Sequence, residues 1–352
     1  MEKIHIKKKI RIIKDGGFFP VLVRDKKNLY LFCRCNGGHY GKNGNITLLT
    51  STNGIKWENR GIIAFAGTDT RNPACYAYDD GNLYLAAFKF DTYYGENGRA
   101  IPTSPSVTNL FDVLFYNGNI DNGLHQLDIN VKNFFNGNPF SPYGQIIKYN
   151  DSLIMGVYNG KGYASFLQSY NNGNSWDRYI HIAKGYREPA IATCNDGKRL
   201  IAAMRGDPDE VGTDGTYISY SLDDKLEKWS TPFLLTKEET HPTTITRLND
   251  EILIMVVAKR TLKNQMLLLY ISKDDFKNFT GPFRLSDSYK NCDFGYPSTV
   301  LLDNDSIITV FYKKQYPSPS YFEKNKYVEY YSEKGACAIG LIYSTKSILN
   351  KA

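Results

Sequence analysis

Arg187-Glu188-Pro189-Ala190-Ile191-Ala192-Thr193-Cys194-Asn195-Asp196-Gly197-Lys198-Arg199-Leu200-Ile201-Ala202-Ala203-Met204-Arg205 is the stretch on which the fold turns. Two apolar runs flank Asn195-Asp196-Gly197. Asn and Gly tolerate the positive φ of tight turns, so the pattern predicts a β-hairpin. An X-Pro pair opens it, and proline suits the first residue of a strand, where a missing N–H removes no ladder bond. The arrangement recurs. X-Pro pairs open apolar runs at Phe19-Pro20, Asn72-Pro73, Ser141-Pro142, Glu188-Pro189, His241-Pro242 and Tyr296-Pro297, and the prolines step by 53, 69, 47, 53 and 55 residues. Turns follow at Asp79-Asp80-Gly81, Asn150-Asp151, Asn249-Asp250 and Asn304-Asp305, with Lys26-Lys27-Asn28 as a divergent first copy. A period near fifty over the whole chain is the mark of a repeat architecture.

A third strand is expected after each hairpin, at 46–50, 107–115, 163–168, 217–220, 266–271 and 338–343. Four of these run into a second repeated element: Ser51-Thr52-Asn53-Gly54 to Trp57, Ser169 to Trp176 through Asn171 and Gly173, Ser221-Leu222-Asp223 to Trp229, and Ser272-Lys273-Asp274 to Phe279. Ser and Asp/Asn side chains fold back on their own turn's amides, and the aromatic ring packs the turn onto its sheet. These segments are similar to Asp boxes, S-x-D-x-G-x-x-W, and through them the chain resembles the sialidase (neuraminidase) superfamily of six-bladed β-propellers. The resemblance covers essentially the whole chain and assigns the boxes themselves no chemistry.

The expected fold is therefore all-β. It is a single domain over residues 1–352, a six-bladed β-propeller of four-stranded antiparallel blades with about 59 residues each. The last blade lacks an outer strand, which the alternating Ile4-His5-Ile6 and Ile10-Arg11-Ile12-Ile13 segment would supply, closing the ring and leaving few free edges.

No run approaches the roughly 18 apolar residues of a membrane span. The basic start (Lys3, Lys7, Lys8, Lys9) has no apolar stretch behind it, so a cytoplasmic location is expected, or a secreted one if a leader has been removed. Six cysteines show no metal-type spacing and read as small core residues. No metal and no cofactor are expected. A net charge of +7 without a basic tract carrying aromatics argues against a nucleic-acid partner. An acidic carbohydrate is the expected partner, with no membrane partner and the oligomeric state open.

In a propeller blade the inner strand starts and the second strand ends surround one pocket. That ring holds Arg71, Arg187, Glu188, His241 and Tyr296 from strand starts, and Arg34, Arg205 and Arg260 from strand ends. Arginines grip carboxylates through bidentate, charge-assisted forks, so an anionic sugar is the natural ligand. The resemblance implies that Tyr296 is a nucleophile with Glu188 as its base, and that Arg205 and Arg260 hold the substrate carboxylate. A neutral Tyr hydroxyl avoids the repulsion that a sialic acid's own carboxylate would exert on a carboxylate nucleophile, and sialidases are an exception to the two-carboxylate rule. The chain departs from the pattern twice. Phe18-Phe19 stands where the family's first arginine precedes Ile-Pro, and the loop before the first box, Asn36-Gly37-Gly38-His39-Tyr40-Gly41, has no carboxylate. His39 or Asp69 would then protonate the leaving group, and Arg71 would stand in for the lost arginine. His241 would bind a sugar hydroxyl, and Asp293 would orient a loop.

The expected activity is a retaining, sialidase-like exo-glycoside hydrolysis of sialic acid or a related acidic sugar. Two alternatives stay open: a polysaccharide lyase acting on uronate-containing glycans, and a non-catalytic carbohydrate-binding propeller. Two long loops, Asp91 to Ser106 with Arg99 and the tyrosine-rich Gln315 to Gly335, are expected to form a lid and an aromatic sugar platform.

Overall fold

The computed structural model describes residues 1–41, 43–90, 92–94, 100–102, 111–159, 162–237, 239–318, 320–321 and 332–352. Most of the two long loops, Arg99 included, lies outside the described residues. The chain forms six antiparallel sheets in sequence order around a ring, each built on four strands. Blade 1 runs through Phe18–Arg24, Leu29–Cys35, Asn45–Ser51 and Glu58–Ala64. Blade 2 holds Asp69–Ala77, Leu83–Phe90, Phe111–Asn119 and Gly123–Leu127. Blade 4 holds Tyr186–Thr193, Leu200–Gly206, Thr216–Tyr220 and Phe233–Leu234, and blade 5 holds Thr240–Arg247, Leu253–Lys259, Met266–Ser272 and Thr280–Arg284. Blade 6 supplies Cys292–Asp303, Ser306–Gln315 and Ala336–Ser344, and the N-terminal Ile6–Lys14 pairs with its last strand to close the ring. The expected propeller and its closure are both present. Of the third strand expected in blade 2, Phe111 onward is present as Phe111–Asn119, and 107–110 lie outside the described residues.

The X-Pro pairs do not sit at strand starts. In blades 1, 2, 4, 5 and 6 each lies inside the inner strand at a register break, as between Arg187↔Arg205 and Ala190↔Ala203. Proline is tolerated there because a bulge leaves one residue out of the ladder. Four of the residues before proline hold a left-handed backbone: Phe19 (φ 50°), Asn72 (48°), Glu188 (53°) and Tyr296 (51°). For a residue with a Cβ that region is disfavoured by about 1–2 kcal/mol, so the surrounding sheet must enforce it. The bulge turns each X side chain out of the sheet and toward the axis.

Blade 3 departs from the pattern. Its inner strand is broken into Phe140–Pro142, Gly144–Gln145 and Ile147–Tyr149, beside Ser152–Asn159, Tyr163–Ser169 and Arg178–Lys184. The broken piece crosses the ring. Tyr143 Oη donates to Thr243 O of blade 5 (2.8 Å), and Gln145 Nε2 donates to Leu22 O of blade 1 (2.6 Å) and Thr299 O of blade 6 (3.1 Å). Pro20, Pro73, Pro142 and Pro297 line the small space above it, about 30 Å³.

Apolar cores lie between neighbouring blades. Ile254 and Val256 of blade 5 pack with Phe294 and Phe311 of blade 6, for example. The Ser/Asp turns have the expected geometry: Ser51 Oγ accepts Gly54 N (2.9 Å) and Asn53 Oδ1 accepts Lys56 N (3.0 Å), and Ser169 Oγ accepts Gly173 N (2.9 Å). In the last copy the ring that fills the turn is Phe276, fully buried, while Phe279 is 41% exposed. Phe276 follows Asp275 into a left-handed turn that points it inward.

Candidate active site

A cavity of about 490 Å³ opens at the end of the ring where the inner strands begin. Its wall includes Phe19, Asn72, Glu188, His241 and Tyr296, five of the six residues that precede a ring proline, together with Arg71, Arg187, Arg205 and Arg260. Four of these side chains carry a buried polar atom without a hydrogen-bond partner among the described residues: Arg71 Nε, Arg187 Nε, Glu188 Oε2 and His241 Nδ1. Buried polar groups are nearly always satisfied, so this concentration marks a place built for a polar ligand.

Tyr296 Oη donates to Glu188 Oε1 across the floor. Glu188 is 4% exposed, and its second oxygen is 4.0 Å from Arg205 Nη1. Burial, then the charge of Glu188, pushes the Tyr296 hydroxyl well above its usual value, so the proton rests on tyrosine and points at the carboxylate. Loss of that proton to Glu188 would create the phenolate nucleophile and discharge the carboxylate that opposes it.

His39 and Tyr40 reach the cavity from the Gly-rich loop. Arg34, at 0% exposure, ties this loop down by donating to the carbonyls of Gly37 (2.9 Å), Gly38 (2.7 Å) and Gly41 (3.1 Å) while pairing with Asp69, also at 0% exposure. Asp69 Oδ2 in turn accepts Gly41 N (3.2 Å). Neither residue lines the cavity. The expectation that Asp69 supplies the leaving-group proton and that Arg34 contacts substrate is therefore corrected: their charges neutralise each other beneath the loop and shape it.

His39 Nδ1 lies 2.7 Å from Asp293 Oδ2, so the loop that Asp293 contacts is the Gly-rich one. Asp293 Oδ1 accepts from Tyr312 Oη (2.8 Å) and lies 3.4 Å from Arg260 Nη2. Burial alone would raise this carboxyl, but His39, Arg260 and the Tyr312 bond hold it down at about 2. Phe19 sets its ring edge-on between His39 (4.9 Å) and Tyr296 (4.8 Å).

The remaining arginines are each held differently. Arg71 lies over Tyr40 (4.5 Å) and Phe90 (5.3 Å), and Arg187 pairs with Asp207, which caps the short helix Pro208–Val211. His241 donates through Nε2–H to Asp214 Oδ2 at 3.1 Å. Burial pushes His241 down to about 4, so the ring is uncharged near neutrality, and Asp214 stays ionised below the usual carboxylate range. Asp214, Glu239 and Tyr158 also line the wall and were missed in the sequence. The acidic residues moderate the cationic ring that the strand ends suggested. No His/Cys/Asp/Glu group capable of holding a metal occurs among the described residues.

No family model matches the chain, and no curated protein matches it. Solved structures do. A protein of unknown function from Dyadobacter fermentans superposes with a TM-score of 0.75 at 15% identity, covering 98% of this chain and 100% of that one. A Hadza microbial sialidase gives 0.67 at 12% identity over 95% and 67% of the two chains. Trypanosoma rangeli sialidase gives 0.66 at 11% identity, covering 98% of this chain and 59% of that longer one. At these identities the likeness concerns the fold. The chain has a sialidase-like six-bladed propeller fold. The particular chemistry rests on the residues of its own cavity.

Proposed function

We propose that the protein is a retaining exo-glycoside hydrolase for an acidic sugar, sialic acid or a relative of it. The hydrogen bond from Tyr296 Oη to Glu188 Oε1, made at the wall of an arginine-lined cavity, carries this reading. Tyr296 Oη attacks the anomeric carbon as its proton passes to Glu188. The glycosidic C–O bond breaks with its electron pair on the leaving oxygen, which takes a proton from His39 Nε2. Water then attacks the same carbon, gives its proton to His39, and the phenolate leaves and recovers its proton from Glu188. Arg205 and Arg260, flanking Tyr296 and Glu188, bind the substrate carboxylate with support from Arg71 and Arg187. His241 takes a sugar hydroxyl.

Trypanosoma rangeli sialidase has been solved with 2,3-difluorosialic acid as a covalent intermediate, which makes that compound the natural probe. Incubation followed by peptide mass mapping should place the label on Tyr296. An unsaturated product absorbing in the near ultraviolet would instead identify a lyase. Retention of acidic sugar without turnover of any donor would identify a binding propeller.

A further inference from the structure

We propose that Asp293 is the positioning residue of this site, one buried carboxylate that sets the proton donor His39 and the anion-binding Arg260 together. The inference rests on the reading above that His39 delivers the leaving-group proton. Asp293 and Tyr296 are three residues apart, and on a regular strand they would face opposite sides of the sheet. The register break between Gly295 and Ser298, with Gly295 at φ 130° and Tyr296 at 51°, brings both to the cavity side. A side chain at Gly295 would meet Ala258 Cβ at 3.1 Å and Pro242 Cδ at 3.3 Å, so the glycine is required where it stands.

The two oxygens divide the work. Oδ2 accepts from His39 Nδ1–H at 2.7 Å, which fixes the tautomer and presents Nε2 for proton exchange. Phe18 and Phe19 hold the same ring edge-on at 6.4 and 4.9 Å. Oδ1 accepts the Tyr312 hydroxyl at 2.8 Å and stands 3.4 Å from Arg260 Nη2. That longer contact leaves the guanidinium able to take a second anion. A substrate carboxylate drawn to Arg260 thus meets the group that steadies Asp293, and anion binding and proton delivery pass through one side chain. With its side chain 1% exposed, Asp293 touches no substrate itself.

The test compares wild type with Asp293→Asn on aryl and alkyl glycosides of an acidic sugar, from activated to poor leaving groups. A positioned general acid contributes about 10²–10⁴-fold, and an activated leaving group needs little of it. The loss on the poorest leaving group should exceed that on the most activated by at least about 10²-fold. His39→Ala should give the same split, and the double variant should add nothing. The Nδ1–H proton resonance of His39, assigned by its absence in His39→Gln, should vanish in Asp293→Asn. A uniform loss across leaving groups with the resonance retained overturns the proposal. If Asp293→Asn does not fold, Asp293→Glu serves, and absence of the resonance from wild type overturns it equally. If wild type hydrolyses no donor, the hydrolase reading fails by itself and the resonance alone decides the positioning role.

Discussion

Tyr296 and Glu188 meet in one hydrogen bond from positions 108 residues apart, and each reaches it from a left-handed backbone, φ 51° and 53°. The equivalent inner strands of blades 4 and 6 carry the same local strain to bring a hydroxyl onto a carboxylate, and in both the strain is enforced by a bulge ending in proline.

Tyr296→Phe removes the donor and leaves a buried carboxylate oxygen without its partner. Hydrolysis of an acidic aryl glycoside should fall by more than the roughly 10²–10⁴-fold that a proton-transfer group supplies. The lost bond should lower stability by about 1–3 kcal/mol, read from urea unfolding. A variant retaining the full hydrolytic rate would end the nucleophile assignment.

Asp69→Asn separates the two candidates for the acid. Removing one partner of a buried ion pair is worth about 3–5 kcal/mol, so the urea midpoint should drop strongly. The residual activity should show wild-type dependence on the leaving group, because Asp69 shapes the loop and delivers no proton. A split like that of His39→Ala would restore Asp69 as the acid.

Arg205 stands 4.0 Å from Glu188 with an exposed side toward the cavity. In Arg205→Met, KM for an acidic glycoside should rise by about 10–150-fold, the equivalent of a charged hydrogen bond of about 1.5–3 kcal/mol. KM for the corresponding methyl ester should change far less. Equal effects on both would remove Arg205 from carboxylate recognition.

Acid should lower the protein's stability over two pH windows. His241 is lowered in the folded state, from about 6.5 to about 4. Its contribution is complete above the unfolded value and is lost as pH falls from 6.5 toward 4, a change of roughly 3 kcal/mol at 1.36 kcal/mol per unit. Asp293, lowered to about 2, contributes above its ordinary 3.8 and loses roughly 2 kcal/mol as pH falls from 4 to 2. His241→Gln should flatten the stability profile in the upper window and also weaken the acidic slope, because the His241 bond is the largest cause that lowers Asp214. Persistence of the upper slope in that variant would place the titration elsewhere.

The propeller was legible because it is periodic: hairpin turns, Ser/Asp turns and prolines repeat in phase, and each copy supports the others. Glu188, Tyr296, Arg205 and Arg260 were legible for the same reason, since repeat position alone assigns them to one mouth. Asp293 was not. Strand alternation puts it on the wrong face, and only the Gly295-Tyr296-Pro297 bulge reverses that, although glycine directly before an X-Pro pair was a readable signal. Asp69 misled because its chain position is right while its partner, Arg34, comes from another strand 35 residues away. Pairing of that kind is decided by packing, and residue type alone does not reveal it.

The Gln145 side chain, bonded to blades 1 and 6 from blade 3, has a kinetic meaning. It makes the arginine-lined cavity a cul-de-sac. With only about 30 Å³ of space above this bolt, room for little more than a water, nothing the size of a sugar can leave through the far mouth. Every species must come and go by one door. In the mechanism proposed above, the leaving group would have to clear that door before an acceptor could reach the glycosyl-enzyme, so turnover would follow a strict queue. The size of the released alcohol should then govern how fast water, or a competing acceptor alcohol, takes its place.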